Sequence, residues 1–245
     1  MKRGLFTVTS NEQLAPGTFH MVLAGDTTAI TAPGQFVNIA LEGKFLRRPI
    51  SVCDWGEGSL TIVYKVVGQG TEQMSRMAPG TRLDILTGLG NGYDLNKSGD
   101  RPLLIGGGAG IPPMFALAKK LLAQGKIPSV ILGFNQAAEQ FMQADFQALG
   151  LDVTVTTADG SLGVKGFVTD AMPQTGYTCV YTCGPAPMLK AVYDKSVTSG
   201  QFSFEERMGC GFGACMGCSC KTLTGSKRIC KEGPVLRKGE ILWQK

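Results

Sequence analysis

Four cysteines fall within eleven residues, Cys210, Cys215, Cys218 and Cys220, and a fifth follows at Cys230. No other feature limits the fold as tightly. From Cys210 the spacing reads C-x4-C-x2-C, and eleven residues then separate Cys218 from Cys230. This matches the plant-type spacing of thiolates that hold a 2Fe–2S cluster. Gly209, Gly211, Gly213 and Gly217 interleave with the thiols. Such a loop must aim its amides at sulfur, and side chains there would obstruct it. A structural zinc site is the alternative, since one C-x2-C and a further cysteine are present; the two-plus-two knuckle spacing common in zinc sites is absent. Cys220 is expected to point away from a sulfur held by Cys218 and to be a small packed residue. The C-S-C step nevertheless keeps it as a rival to Cys218.

The 245 residues are 43% apolar and carry a net charge of +5. No apolar stretch reaches membrane-spanning length free of Gly or Pro, so no membrane span is expected. The opening "MKRGLFTVTSNEQ" has no sustained apolar run. A secretory signal is therefore not expected, and a cytoplasmic setting keeps the eight cysteines reduced. Metal or redox chemistry suits them better than disulfides. Residues 201–245 hold eight Lys/Arg, Arg207, Lys221, Lys227, Arg228, Lys231, Arg237, Lys238 and Lys245, against four Glu. Nucleic-acid binding is not expected, because a long basic stripe with aromatics is missing. Two ferric ions, two sulfides and four thiolates sum to a net negative charge, which this excess would partly offset. A solvated surface is the plain alternative.

Three segments emerge along the chain. Residues 1–98 read as β, with "TFHMVLAG", "GQFVNIAL", "SLTIVYKVVG" and "TRLDILTG" short, β-branched and bounded by turn residues. They suggest a small barrel or sandwich. Residues 99–202 alternate strands ("PLLIGG", "PSVILGF", "DVTVTTADG", "TCVYTCG") with helices ("PMFALAKKLLAQG", "EQFMQADFQALG", "APMLKAVYDKSV"). That alternation means a parallel sheet. Residues 203–245 show little periodicity and need a staple to fold. The fold class is multidomain α+β.

Three further motifs carry chemistry. "LIGGGAGIPP" sets Gly106, Gly108 and Gly110 between a buried strand and a helix, with Ile111 at the third glycine position of the strict G-x-G-x-x-G. A pyrophosphate can approach the backbone there, at a helix N-terminus. "YTCGPAPM" places Cys183, Gly184 and Pro185 at another strand end of the same sheet, on the same rim. Cys183 read alone is an ordinary buried small residue. In "FLRRPISV" and "IVYKVVGQGT", an Arg beside a Ser and a glycine turn offer charge-assisted bonds, amides and the Thr71 hydroxyl to a phosphate.

In this order the motifs resemble the ferredoxin–NADP reductase superfamily, and most closely its electron-transfer subunits of type B dihydroorotate dehydrogenase. The resemblance covers nearly the whole chain. It implies an N-terminal antiparallel barrel holding FAD, with Arg48, Pro49, Ile50 and Ser51 in contact, Val63, Tyr64 and Lys65 along the neighbouring strand, and Gly70 and Thr71 at the pyrophosphate. It implies a central domain for NAD and a small 2Fe–2S domain with Cys210, Cys215, Cys218 and Cys230 as ligands. The spacer from Cys218 to Cys230 is shorter than in relatives. The implied partner is an FMN-containing catalytic subunit that oxidises dihydroorotate, two copies of each forming a heterotetramer. Electrons would pass from it through the cluster and FAD to NAD+, in pyrimidine biosynthesis. A reductase component for another partner, and a zinc-stapled binding module, are the competing readings. NAD over NADP rests on the resemblance alone, since "LGFNQAAEQ" puts neither acid nor Arg at its strand end. No catalytic base is expected here; His20, the only histidine, reads as a strand residue.

Overall fold

A computed structural model describes residues 1–243 of the chain. Six antiparallel strands close a barrel in the order β1-β2-β5-β4-β3-β6. They are β1 (Lys2–Ala15), β2 (Thr18–Ala24), β3 (Phe36–Ile39), β4 (Arg48–Gly56), β5 (Ser59–Lys65) and β6 (Arg82–Leu89). A short helix, α1 (Gln69–Ser75), joins β5 to β6. Alternation along the strands sends Phe6, Met21, Val37, Ile39, Ile62 and Ile85 into the barrel core. The barrel form agrees with the expectation, with β1 and β4 added to the four strands read from the sequence.

Ladder pairing between β4 and β5 runs only from Val52↔Ile62 to Gly56↔Ser59. Beyond it the first half of β4 pairs with β3 alone, Ile39↔Arg48 to Phe36↔Ser51, and the end of β5 pairs with β2 alone. The barrel wall is therefore split between Arg48–Ser51 and Val63–Lys65.

A seven-stranded sheet follows, in the order β10-β9-β8-β7-β11-β12-β15. Its strands are β7 (Leu103–Gly107), β8 (Ser129–Phe134), β9 (Asp152–Thr157), β10 (Val164–Lys165), β11 (Val180–Cys183), β12 (Gly200–Ser203) and β15 (Val235–Arg237). All pairs are parallel except β12–β15. Helices α2 (Ile111–Ala123), α3 (Gln143–Ala148) and α4 (Ala186–Lys195) connect them. One face packs α2 against Leu104 and Leu132; the other packs α4 against Ile105, Val180 and Phe202. Strand order reverses between β7 and β11, so the loops after these two strands face one crevice.

Two elements differ from expectation. The helix read over "EQFMQADFQALG" is only Gln143–Ala148, because Phe141 and Met142 turn into the core and Met142 takes a left-handed φ of 63°. The segment after residue 203 is less irregular than its composition suggests. It contains a hairpin, β13 (Ser219–Thr222) with β14 (Gly225–Arg228), and then β15, which returns to the sheet edge beside β12. No described helix is long and apolar enough to cross a membrane.

Candidate functional site

The nucleotide rim is made mostly of backbone. Gly106, at the end of β7, packs so closely on α2 that a Cβ there would lie 2.9 Å from Ile111 Cα. Gly108 takes φ +50°, which L side chains resist, and nothing stands within 4 Å of its missing Cβ. Gly110 presses on the Cys183 carbonyl, leaving no room for a side chain. The rim lines a cleft of about 530 Å³ that takes in Gly107 to Gly110, Gly184, Pro185 and Met188. Two residues singled out in the sequence lie behind it. Gly106 and Cys183 do not line the cleft; the Cys183 thiol is 2% exposed and is pushed up to about 12 by burial and the nearby Glu205. Cys183 thus supports the rim as a neutral packed thiol.

Sequence reading missed several cleft residues. Glu139 is folded back by a turn at Ala137–Glu139; its carboxylate accepts from Asn135 Nδ2 at 3.0 Å and stands 3.7 Å from Lys65 Nζ. Thr156 is fully buried at the cleft wall, and its Oγ1 has no partner among the described residues. Glu205 reaches the cleft with its carboxyl raised by desolvation. The "FEER" stretch was the available signal for Glu205. For Glu139 and Thr156 none existed, because a turn and a register place them.

The split in the barrel wall gathers the other predicted residues. Arg47 and Arg48 divide their work. Arg47 holds the fold, bonding Asp84 and the Asn38 carbonyl. Arg48 has no carboxylate partner among the described residues, and its guanidinium lies on Gly70, where any Cβ would displace it. A guanidinium that donates to the Leu46 carbonyl, meets no carboxylate among the described residues and is seated on a bare glycine is a fit for an anionic cofactor. Tyr64 is turned away: its ring is buried in the barrel core and its hydroxyl donates to Asn11 Oδ1 at 2.9 Å. Only its backbone faces the split. The Thr71 hydroxyl is likewise engaged, accepting from Val67 N and donating to Gly68 O within the turn that opens α1. Lys65 lines the nucleotide cleft, between the two domains.

The cysteine loop crosses between barrel and sheet. Its thiols sit in two pairs. The Cys210 amide donates to Cys215 Sγ at 3.4 Å, while the amides of Ala214 and Cys215 donate to Cys210 Sγ at 3.2 and 3.5 Å. The Cys230 amide donates to Cys218 Sγ at 3.4 Å. Burial opposes ionisation of Cys210, but these amides and that of Phe212 bring its thiol down to about 6. Cys230, deeper and beside Cys218, is pushed up to about 12. Cys218 and Cys230 are 2% exposed, whereas Cys215 is exposed. Among the described residues no three His, Cys, Asp or Glu side chains converge on one point.

Cys220 is set apart from Cys218 by a turn, not by strand alternation. Residues two apart in a strand share a face, so extension alone would not separate it from Cys218. Cys218 instead lies in the turn before β13 and faces Cys230, whereas Cys220 lies within β13 opposite Lys227. Only part of the basic excess reaches the cysteine loop. Arg228 reaches the loop, its Nη1 donating to Gly213 O at 2.6 Å, and Lys231 lies against Gly213. Lys227 pairs with Glu240, Arg237 with Asp94, and Lys238 points at Ser196; Lys245 lies outside the described residues.

Both the sheet and the cysteine segment resemble parts of known proteins. A family model described as the iron-sulfur cluster binding domain of dihydroorotate dehydrogenase B matches residues 205–242, and an oxidoreductase NAD-binding domain matches 104–194. The chain is 41% identical to the dihydroorotate dehydrogenase B (NAD(+)) electron transfer subunit of Geobacillus thermodenitrificans (strain NG80-2), over 98% of each. It is 40% identical to the subunit of the same name from Fusobacterium nucleatum, over 96% of each. A solved chain of an NADH-dependent reduced ferredoxin–NADP oxidoreductase superposes with a TM-score of 0.89 at 30% identity, covering 97% of this chain and 90% of that one. A ferredoxin–NADP+ reductase from Neisseria gonorrhoeae, at 16% identity and TM-score 0.69 over 80% of this chain and 90% of that one, shares the fold. An NAD-linked reductase fold with an iron–sulfur segment now has both its family and its parts in place, and the chain belongs to the electron-transfer subunits of dihydroorotate dehydrogenase B.

Proposed function

We propose that the chain holds a 2Fe–2S cluster on Cys210, Cys215, Cys218 and Cys230, FAD in the split of the barrel wall, and NAD in the cleft. The pairing of the thiols carries this reading. A two-iron cluster needs two thiolates on each iron, and the loop offers Cys210 with Cys215 and Cys218 with Cys230. The FAD assignment is supported by the unpaired strand edges and by Arg48 over Gly70.

Nicotinamides exchange a hydride, clusters exchange single electrons, and a flavin handles both, so it must lie between them. The chain's residues arrange this order. Arg48 offsets flavin phosphate charge, Gly108 and Gly110 admit the nucleotide pyrophosphate to the backbone, and Phe134 and Phe141 help close the space between cleft and barrel to water. Oxidation of dihydroorotate to orotate releases two electrons and two protons. Both electrons and one proton leave on NAD+ as hydride, and the second proton goes to water. The acid–base work belongs to an FMN-containing catalytic partner, two copies of each subunit assembling in the cytoplasm. His20 sits on β2 opposite Val63, well placed for a strand and poorly for a proton relay. NAD over NADP is favoured by the likeness to subunits of the NAD(+)-linked enzyme.

The test is purification with the natural partner. The expected result is flavin and iron–sulfur absorbance, about two irons per electron-transfer chain, and dihydroorotate-dependent reduction of NAD+. A colourless, zinc-containing chain would refute the proposal.

A further inference from the structure

Two asparagines fasten the cysteine segment to the barrel side. Asn91 bonds its far end, through Glu232 O, Val235 O and Val235 N. Asn38 fastens its near end, at the first cysteine. On β3, Val37 and Ile39 enter the barrel core, so Phe36 and Asn38 face outward, and Phe36 packs with the core that includes Cys218 and Cys230. Asn38 is 1% exposed. Its backbone pairs with Pro49, within the half of β4 that borders the split, and its carbonyl accepts from Arg47 Nη1 at 3.2 Å. Its side chain turns the other way. Nδ2 donates to the Cys210 carbonyl at 3.1 Å, and Gly211 lies so close to the same amide that any Cβ would overlap it.

The Asn38 Oδ1 has no partner among the described residues. A buried amide with one end unmet is a poor packing element, and an aliphatic side chain would fill the space without that penalty. What the amide provides is a connection, one hydrogen bond long, from β3, the strand paired with the split's β4 edge, to a cysteine of the loop. We propose that Asn38 is a positioning residue for electron exchange between the flavin site and the cluster, fixing the Cys210 end of the loop against β3, the strand that pairs with the split-bordering half of β4. This rests on the assignment of FAD to the split and of the cluster to the four cysteines. Each hydride carries two electrons and the cluster exchanges them singly, so two crossings of this contact accompany each nicotinamide, with protons exchanged with water. Tunnelling falls off steeply with distance, so a slackened loop slows the crossing without touching the hydride step.

The experiment uses the full-length holoprotein with Asn38→Leu and the isosteric Asn38→Asp, the latter read above the carboxyl's burial-raised pKa, where it no longer donates. Four quantities are read: iron per chain, the rate of flavin reduction by NADH, the rate at which reduced flavin passes electrons to the cluster, and the EPR g-values of the reduced cluster. In both variants the NADH step should stay within about twofold and iron should be retained. Flavin-to-cluster transfer should fall by about tenfold or more, in line with the penalty of a misplaced reacting pair, and the g-values should shift. Unchanged transfer and g-values in Asn38→Asp would overturn the proposal, as would an equal slowing of the NADH step, which marks general support of the barrel. If Asn38→Leu fails to fold, Asn38→Asp decides alone. Wild-type protein without flavin or cluster absorbance would instead sink the assignments beneath it.

Discussion

The nucleotide rim and the cysteine loop are both rich in glycine, and the glycines act in different ways. In the rim they let backbone meet backbone: Gly106 rests on Ile111 and Gly110 on the Cys183 carbonyl, at the ends of strands fixed by ladders on both sides. In the loop, Gly211 and Gly213 supply left-handed turns, and Gly209 and Gly217 clear space around Cys215, whose sulfur would stand 3.2 and 3.5 Å from an added Cβ. The rim is made before any ligand arrives. The loop has no ladder between Phe204 and Cys218, and is held by Asn38, Arg228 and sulfur. A preformed site and one that depends on its cargo should respond differently to damage.

The sharpest separation comes from Cys230→Ser. It should abolish iron incorporation, read by metal analysis and visible absorbance, while NADH-to-dye activity survives at the flavin. Cys220→Ser should keep its iron; loss of iron there would move Cys220 into the ligand set. Gly110→Ala is the converse blow. The new methyl meets the Cys183 carbonyl and should cost about 1–3 kcal/mol of stability, as overpacking does. NADH binding should weaken measurably in a titration while iron content stays at the wild-type value.

Arg48→Ala tests the third site, in the split. Loss of a charged hydrogen bond, about 1.5–3 kcal/mol, should weaken FAD binding roughly 10- to 150-fold in a dialysis or fluorescence titration. Arg47→Ala should instead lower the melting temperature, since Arg47 pairs with Asp84 on the outer face of the barrel wall. The smallest effect is expected for Thr156→Val. Its buried hydroxyl meets no partner among the described residues, so the substitution should be nearly neutral or slightly stabilising by thermal melt, within about 1 kcal/mol. Any loss of NADH affinity would show that the hydroxyl serves the nucleotide.

Much of this was legible in the sequence because the chemistry is local. Cysteine spacing, the glycine turn after an apolar strand and the Arg-x-x-Ser step each lie within a dozen residues. The strands that escaped notice are those whose role is non-local. β4 reads only as a strand end carrying an Arg and a Ser; its Pro49 is tolerated because that half of the strand has a ladder on one side only. β1 is mostly polar, with Phe6 and Val8 its chief core residues. Glu139, Thr156 and Asn38 carry no signature at all. A turn, a register and a strand face bring them to their sites.

The route of the chain around the cysteines has a further consequence. It leaves the sheet at the end of β12 and re-enters beside it as β15, where Phe204 N donates to Pro234 O at 2.9 Å. Topologically the iron-binding part is a long insertion within a hairpin, with both stems in one sheet. Such an insertion behaves as a cartridge. Its ends stay about 5 Å apart, the spacing of paired strands, whatever occupies the middle. The contents of the loop can therefore be lengthened, shortened or exchanged while the nucleotide domain keeps a covered sheet edge.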